Sequence, residues 1–243
     1  MTIDQIIALL ASVGACLAAL ATFLTVRQIA KQREASYRPE LALSRTVFDG
    51  SADPITKGAL PTLWVRKAQD GEAEPTSRTF AIPLRNVGLG TAKGVAVSWS
   101  FPISEVVEEV NQLAQRSLTP AYFTYENGAL SVKSDSLGNS TSFWRNQDRD
   151  SIDYVLPAAV QKEPVLVHLP HTYIQLCSAL LFLGAKDKDR KSFPEIPVLR
   201  ASFDYYDIGA RKHQAVFEIK FQLVALGGNG EFIQGYLDAK KSA

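Results

Sequence analysis

Apolar and polar positions divide the chain into two unlike parts. From Ile6 to Val26 no charged residue occurs over 21 positions, and a helix of that length spans about 31 Å at 1.5 Å per residue, which is the thickness of a bilayer core. Ten of these positions are Ile, Leu, Val or Phe. Near a helix centre they contribute about −3 to −6 kcal/mol to insertion, a sum that Ser12, Gly14, Thr22 and Thr25 reduce without reversing. The segment Arg27 to Arg38 is polar nearly all round and made of good helix formers, and Pro39 disfavours a helical residue ahead of it. It reads as a helical stalk. After Pro39 the apolar period becomes two: Leu41 and Leu43; Leu63 and Val65; Phe80, Ile82 and Leu84; Val95, Val97, Trp99 and Phe101; and Phe217, Ile219, Phe221 and Leu223, alternating with Glu218, Lys220 and Gln222. These are strands with one buried face.

Turn residues fall between the strands. Asp70-Gly71, Glu126-Asn127-Gly128, Asp207-Ile208-Gly209 and Gly228-Asn229-Gly230 each supply positions that tolerate positive φ, so a hairpin is expected at each. Short antiparallel strands joined this way predict a β-sandwich rather than a parallel sheet, which needs crossover helices. Two helices interrupt it. One is capped by Ser104 and runs to about Gln115, with Val106, Val110 and Leu113 on one stripe. The other runs from about Thr172 to Leu183, closed by Gly184 and followed by the polar run Lys186 to Lys191. Its uninterrupted apolar stretch is about ten residues, or 15 Å of helix, half of what a bilayer requires, so a buried core helix is favoured over a second span. The tail, Lys240-Lys241-Ser242-Ala243, is expected to be frayed and solvated. The predicted organisation is therefore a membrane anchor over residues 1–26, a basic stalk over 27–38 and a β-sandwich domain over 39–243.

Charge sets the orientation of the anchor. Arg27, Lys31, Arg33 and Arg38 follow the span and no Lys or Arg precedes it. By the bias of basic residues toward the cytoplasm, the N-terminus lies outside and the domain inside. A cleaved signal peptide, the alternative for such a segment, needs a basic leader where this chain has Asp4. The span is marked by Ile6, Leu10, Gly14, Ala18, Phe23 and Val26. Small residues recur four apart on two neighbouring faces, Ala11, Ala15, Ala19 and Gly14, Ala18, Thr22, which suits close helix packing and self-association in lipid.

Composition narrows the chemistry. With 26 Lys+Arg against 25 Asp+Glu, the chain has no global basic field, and direct nucleic-acid binding is not expected. Its two cysteines, Cys16 and Cys177, lie one in the apolar run and one on the apolar helix, so no internal disulfide is expected. Three histidines limit general-base and metal chemistry: Pro170 breaks the helical pairing of His168 with His171, and His213 reads as a solvated loop residue. Asp204 and Asp207 beside Tyr205 and Tyr206 have no partner in the sequence that would perturb their ionisation. No nucleophile elbow or phosphate loop is present. No enzyme activity, cofactor or metal is expected.

The run Arg85 to Val97 contains Gly88, Gly90 and Gly94 at a spacing unlike that of a dinucleotide fingerprint, and it leads into a strand rather than a helix. It resembles the Asn-x-Gly-x-Gly-x-Ala turn of immunoglobulin-like bacterial adhesion and scaffold domains, which implies an immunoglobulin-like sandwich, with Asn86 bonding the turn backbone and the glycines in conformations closed to other residues. Over the whole chain, the architecture of an N-out anchor, a basic stalk and a cytoplasmic β-rich domain without catalytic residues resembles the membrane effectors of retrons, which are antiphage defence systems. That resemblance implies a bacterial inner-membrane protein restrained by a protein partner, a reverse transcriptase ribonucleoprotein, and released to associate through Ala11, Gly14, Ala15, Ala18 and Ala19 and perturb the membrane. The competing expectation is a membrane-tethered scaffold or binding module that localises a protein partner and is not toxic.

Overall fold

The computed structural model describes residues 3–52, 58–67, 80–144, 151–188 and 192–242. It is mainly β, with antiparallel sheets and an N-terminal apolar helix. Helix α1 runs Ile3–Ser36 without interruption, so the uncharged run and the basic segment after it form one rod. The chain then enters β1 (Leu41–Leu43), β2 (Thr46–Ser51), β3 (Leu63–Arg66), β4 (Ala81–Asn86) and β5 (Ala92–Ser100). Helix α2 (Ile103–Arg116) precedes β6 (Ala121–Glu126), β7 (Ala129–Ser134), β8 (Ser140–Phe143), β9 (Ser151–Val155) and β10 (Val165–His168). Helix α3 (His171–Lys186) leads to β11 (Leu199–Tyr206), β12 (Lys212–Gly227) and β13 (Phe232–Lys241).

Three sheets result: seven strands in the order β3-β2-β13-β12-β11-β5-β9, three in the order β1-β4-β10, and three in the order β6-β7-β8. The first two share a core, in which Phe48, Val97, Trp99, Phe203, Phe217 and Ile219 of the large sheet meet Leu41, Ile82, Leu84 and Val167 of the small one. Strand β4 carries Pro83 in the middle of a sheet, where a missing N–H ordinarily breaks the ladder. Here the Ser44 amide donates to the Pro83 carbonyl at 3.0 Å, and the Ser44 carbonyl accepts instead from the Thr46 hydroxyl at 3.0 Å.

Helix α3 joins the two halves of the domain. Tyr173, Ile174, Cys177 and Leu181 face the core between the sheets, while Leu176, Ala179, Leu180, Phe182 and Leu183 face a second core. That second core is completed by Val106, Val110 and Leu113 of α2 and by Phe123, Leu130 and Val132 of the third sheet. Contact on both sides explains why this helix is apolar all round, as a doubly covered helix must be. Its polar residues are matched: the Ser142 hydroxyl donates to Gln175 Oε1 at 2.8 Å, Gln175 Nε2 donates to Ser140 Oγ at 2.6 Å, and Ser178 Oγ donates to the Pro61 carbonyl at 2.8 Å. On α2, Asn111 clamps strand β6, accepting from the Phe123 amide and donating to the Phe123 carbonyl, each at 2.9 Å.

Several local expectations change. Helix α2 begins at Ile103 behind Pro102, so Ser104 lies in the first turn and is not the cap. Gly184 lies inside α3, which runs on to Lys186 and is capped by Asp187; a Cβ there would meet the Pro194 ring at 2.7 Å, so the residue is small for packing rather than for termination. On β3 the buried residue is Trp64, not Leu63 and Val65, because the indole stacks on Phe48 with ring centroids 4.1 Å apart. The tail is strand as far as Lys241, paired with Phe217, and the Ser242 amide donates to the Val216 carbonyl at 2.8 Å. Polar side chains there conceal backbone pairing that needs none of them. Asn127 and Gly128 (φ +52° and +76°) make the β6–β7 turn, and Gly228 and Gly230 (+58° and +97°) the β12–β13 turn; at the β11–β12 turn the positive φ falls on Ala210 rather than Gly209. Asp70-Gly71 lies outside the described residues.

Candidate functional site

The residues singled out for membrane insertion all lie on α1. Among the described side chains, Ile6, Leu10, Phe23 and Val26 are exposed, and a Cβ on Gly14 would meet nothing within 4 Å. Ala11, Ala15, Ala18 and Ala19 are exposed as well. One helix among the described residues is long and apolar enough to cross a membrane, Ile3–Gln32, and none of its most apolar window is buried inside the protein. Two of its hydroxyls are satisfied within the helix: Thr22 Oγ1 donates to the Ala18 carbonyl and Thr25 Oγ1 to the Ala21 carbonyl, both at 2.9 Å. Neither therefore presents an unmatched donor to an apolar surrounding. Arg27 and Lys31 extend from the following turns and Arg38 from the linker; Arg33 belongs to α1, but its side chain lies outside the described residues.

Where α1 meets the domain, the turn after β4 grips the chain. Asn86 is 1% exposed. Its Oδ1 accepts from the Glu40 amide at 3.0 Å and the Gly88 amide at 3.1 Å, and its Nδ2 donates to the carbonyls of Gly90 at 2.6 Å and Val155 at 3.0 Å. The Val87 amide adds a bond to the Glu40 carbonyl at 2.8 Å. One side chain thus ties the linker to β4, its own turn and β9. The expected bonding of the turn backbone by Asn86 is present, but Gly88 and Gly90 do not have the positive φ expected of them; that conformation occurs at Gly94 (+55°). A Cβ on Gly88 or Gly90 would instead collide with the carbonyl of Arg38 or Tyr37. These glycines are small so that two stretches of backbone can touch.

A second group closes the same end. Tyr205 Oη donates to the Pro39 carbonyl at 3.4 Å, and its ring stacks on His213 with centroids 5.5 Å apart. His213 Nε2 lies 3.0 Å from Asp207 Oδ2, and the Arg211 amide donates to Asp207 Oδ1 at 2.9 Å. The hydrogen bond from His213, followed by that from the Arg211 amide, holds the Asp207 carboxyl below its usual value against a smaller opposing effect of burial. Burial pushes the Tyr205 hydroxyl up, opposed by the Arg38 charge. His213 is therefore a packed strand residue rather than a solvated loop residue, and Asp207 does have a perturbing partner. The pairing spans six positions across a turn, and it follows from the hairpin register, which alternation along either strand does not supply.

Burial pushes the Cys177 thiol far up, beyond the range of a reactive thiolate. His168 ends β10 and His171 opens α3, and among the described residues no group of three His, Cys, Asp or Glu is placed to hold a metal ion. An open cleft of about 620 Å³ beside β7 is lined by Ser131, Lys133, Asp135, Asn139, Ser140 and Thr141. Ser131 and Thr141 bond each other at 3.3 Å, while Ser140 accepts from Gln175. No protein-family model, curated protein or solved structure matches the chain.

Proposed function

We propose that the chain is a non-enzymatic single-pass protein of a bacterial inner membrane, N-terminus outside, which holds an immunoglobulin-like β-sandwich at the cytoplasmic face for recognition of a protein partner. The observation that carries this reading is the uncovered apolar surface of α1. Eleven large apolar side chains between Ile3 and Ile29 are exposed, and leaving them in water rather than burying them costs about 15 to 30 kcal/mol. That exceeds the 5 to 15 kcal/mol by which a whole domain is normally stable, so the surface requires lipid or a partner. The 21-residue uncharged length favours lipid, and the cations Arg27, Lys31 and Arg38 on one flank favour a cytoplasmic domain. Fusion of location reporters after Ser36 tests the orientation; a periplasmic signal refutes it.

Within this architecture the retron-like reading is that the domain receives an inhibitory ribonucleoprotein and that release lets the spans associate and depolarise the membrane. Its support is that the small-residue faces through Gly14 and Ala18 are uncovered by the chain's own domain and are available to other helices. The tether reading needs only the anchor and the domain. Overproduction with a membrane-potential dye separates them: depolarisation that is lost when Gly14 and Ala18 are replaced by Ile supports the effector, and normal polarisation with unimpaired growth leaves the tether.

A further inference from the structure

The loops at the α1 end of the domain share an unexpected feature. The turn after β4 presents Val87 and Leu89, the segment after β9 presents Leu156 and Val160, and the β11–β12 turn presents Ile208, with exposures from 39% to 71%. Three separate connections thus place aliphatic side chains in solvent, where turns ordinarily carry polar residues. They converge. The Val87 amide bonds Glu40, the Ala158 amide donates to the Asn86 carbonyl at 2.8 Å, and β11 reaches the β4–β5 region through the pairing of Tyr206 with Lys93. The exposed cations Arg38, Lys162 and Arg211 lie among them, together with the acids Glu40 and Glu163.

Distance decides whether these loops can meet the bilayer from which α1 emerges. With an upright helix and Ile6–Val26 in the core, the ten residues Arg27–Ser36 hold the domain about 15 Å from the hydrocarbon edge, past a headgroup layer of about 5 to 7 Å. A helix leaning by about 40°, within the range that spans adopt, places about 26 residues in the core. The remaining stalk then rises only about 9 Å, which brings the end of α1 to within about 4 Å of the headgroup layer, a gap that projecting loop side chains can cross. The 30-residue candidate span is long enough for this, with Asp4 and Arg27 each just inside a core edge and able to extend their charged ends outward.

We propose that the loop end carrying Val87, Leu89, Leu156, Val160 and Ile208 seats on the lipid headgroup layer with α1 leaning, so that the domain lies against the membrane and is not held clear on its stalk. The occupant is lipid because the surface is continuous with the point where the anchor enters the domain, and because its aliphatic tips among charged residues of both signs match the boundary between acyl chains and headgroups. The proposal rests on α1 being the anchor, and the test separates the two claims. The full chain with Cys16→Ser is given single cysteines at Val87, Leu89, Ile208 or Val224, labelled with an environment-sensitive fluorophore, and reconstituted in vesicles of phosphatidylcholine and phosphatidylglycerol carrying headgroup spin labels. Cys177 is buried and does not take the label. Val224 lies twelve residues along β12 from Lys212, about 40 Å from the loops, and serves as the distant site. Quenching at the three loop positions at least three-fold greater than at Val224 is expected. Equal quenching at all four positions, while Cys16 of the natural chain stays protected from a water-soluble maleimide, overturns the seating and leaves the anchor standing. Ready labelling of Cys16 overturns both. Crosslinking between copies through Ile208→Cys without lipid quenching assigns the surface to a second copy and overturns the proposal.

Discussion

Replacing Asn86 by alanine should cost more than any other single polar truncation in the domain. The side chain makes four hydrogen bonds, two as acceptor and two as donor, at 2.6 to 3.1 Å. At about 0.5 to 1.5 kcal/mol net for each bond, the sum is about 2 to 6 kcal/mol; water reaching the partly exposed Glu40 and Gly88 amides offsets some of it, leaving about 3 kcal/mol. For a domain of this size that corresponds to a fall in Tm of about 6 to 12 °C. Thermal melts of the full chain in detergent, followed by circular dichroism, measure it. Chymotryptic cleavage after Tyr37 tests whether the loss is local, since the linker carbonyls are gripped by the same turn; cleavage should accelerate before the global melt. Asn86→Asp keeps both acceptors but turns an oxygen toward the Gly90 and Val155 carbonyls, so it should be no better than alanine. A Tm within 2 °C of the natural chain, with Tyr37 equally resistant, would show that the grip contributes nothing.

Three further outcomes follow from the same end of the domain and from its core. Gly90→Ala should loosen the linker as strongly as loss of Asn86, because a Cβ collides with the Tyr37 carbonyl; a normal melt and normal chymotryptic resistance would refute that. Asp207 has a depressed carboxyl, so its stabilisation is complete above the unfolded value near 4 and is lost as pH falls through the lower folded value. Asp207→Asn should therefore lower Tm at pH 7 and flatten the acid limb, the two melts converging once the pH falls below the folded value; parallel curves would exclude the role. Cys177 should resist alkylation at pH 8 until the domain unfolds, as its burial and raised ionisation require; mass spectrometry showing modification of the folded chain would contradict it.

What the sequence disclosed depends on whether the signal is local. The alternation of Phe217 and Ile219 with Glu218 and Lys220 identifies β12 because a strand exposes its period in its own residues. The uncharged run from Ile6 identifies α1 for the same reason. Trp64, by contrast, becomes the buried residue of β3 through its stack on Phe48 and its Nε1 bond to Ser178, 114 positions away, and nothing local announces either. The turn at Gly88 and Gly90 was legible as a turn, yet its purpose was not, since the linker backbone it receives lies some fifty residues upstream. His213 with Asp207 stands between these cases: a pairing only six residues apart, concealed by a turn whose register the residues do not specify.

The two apolar helices of this chain show why composition alone does not assign a helix to lipid. Helix α3 is buried over thirteen consecutive residues, Thr172 to Gly184, and three of its turns carry polar side chains, Thr172, Gln175 and Ser178. In hydrocarbon these would be a cost; inside the domain each bonds a specific partner on β8 or before β3. Helix α1 has the opposite arrangement. Thr22 and Thr25 turn back on carbonyls of their own helix, none of its most apolar window is buried among the described residues, and its basic residues follow the uncharged run. A helix whose polar groups reach outward needs neighbours that answer them, whereas one whose polar groups are satisfied internally needs only an apolar medium. By that criterion the 16 residues of α3 belong to the protein interior, and α1 is the helix that could cross a membrane. The criterion is open to a direct check: introducing Gln at Ala18 of α1 creates an outward amide, and in lipid it should increase crosslinking between spans, while in a chain that does not insert it should change nothing.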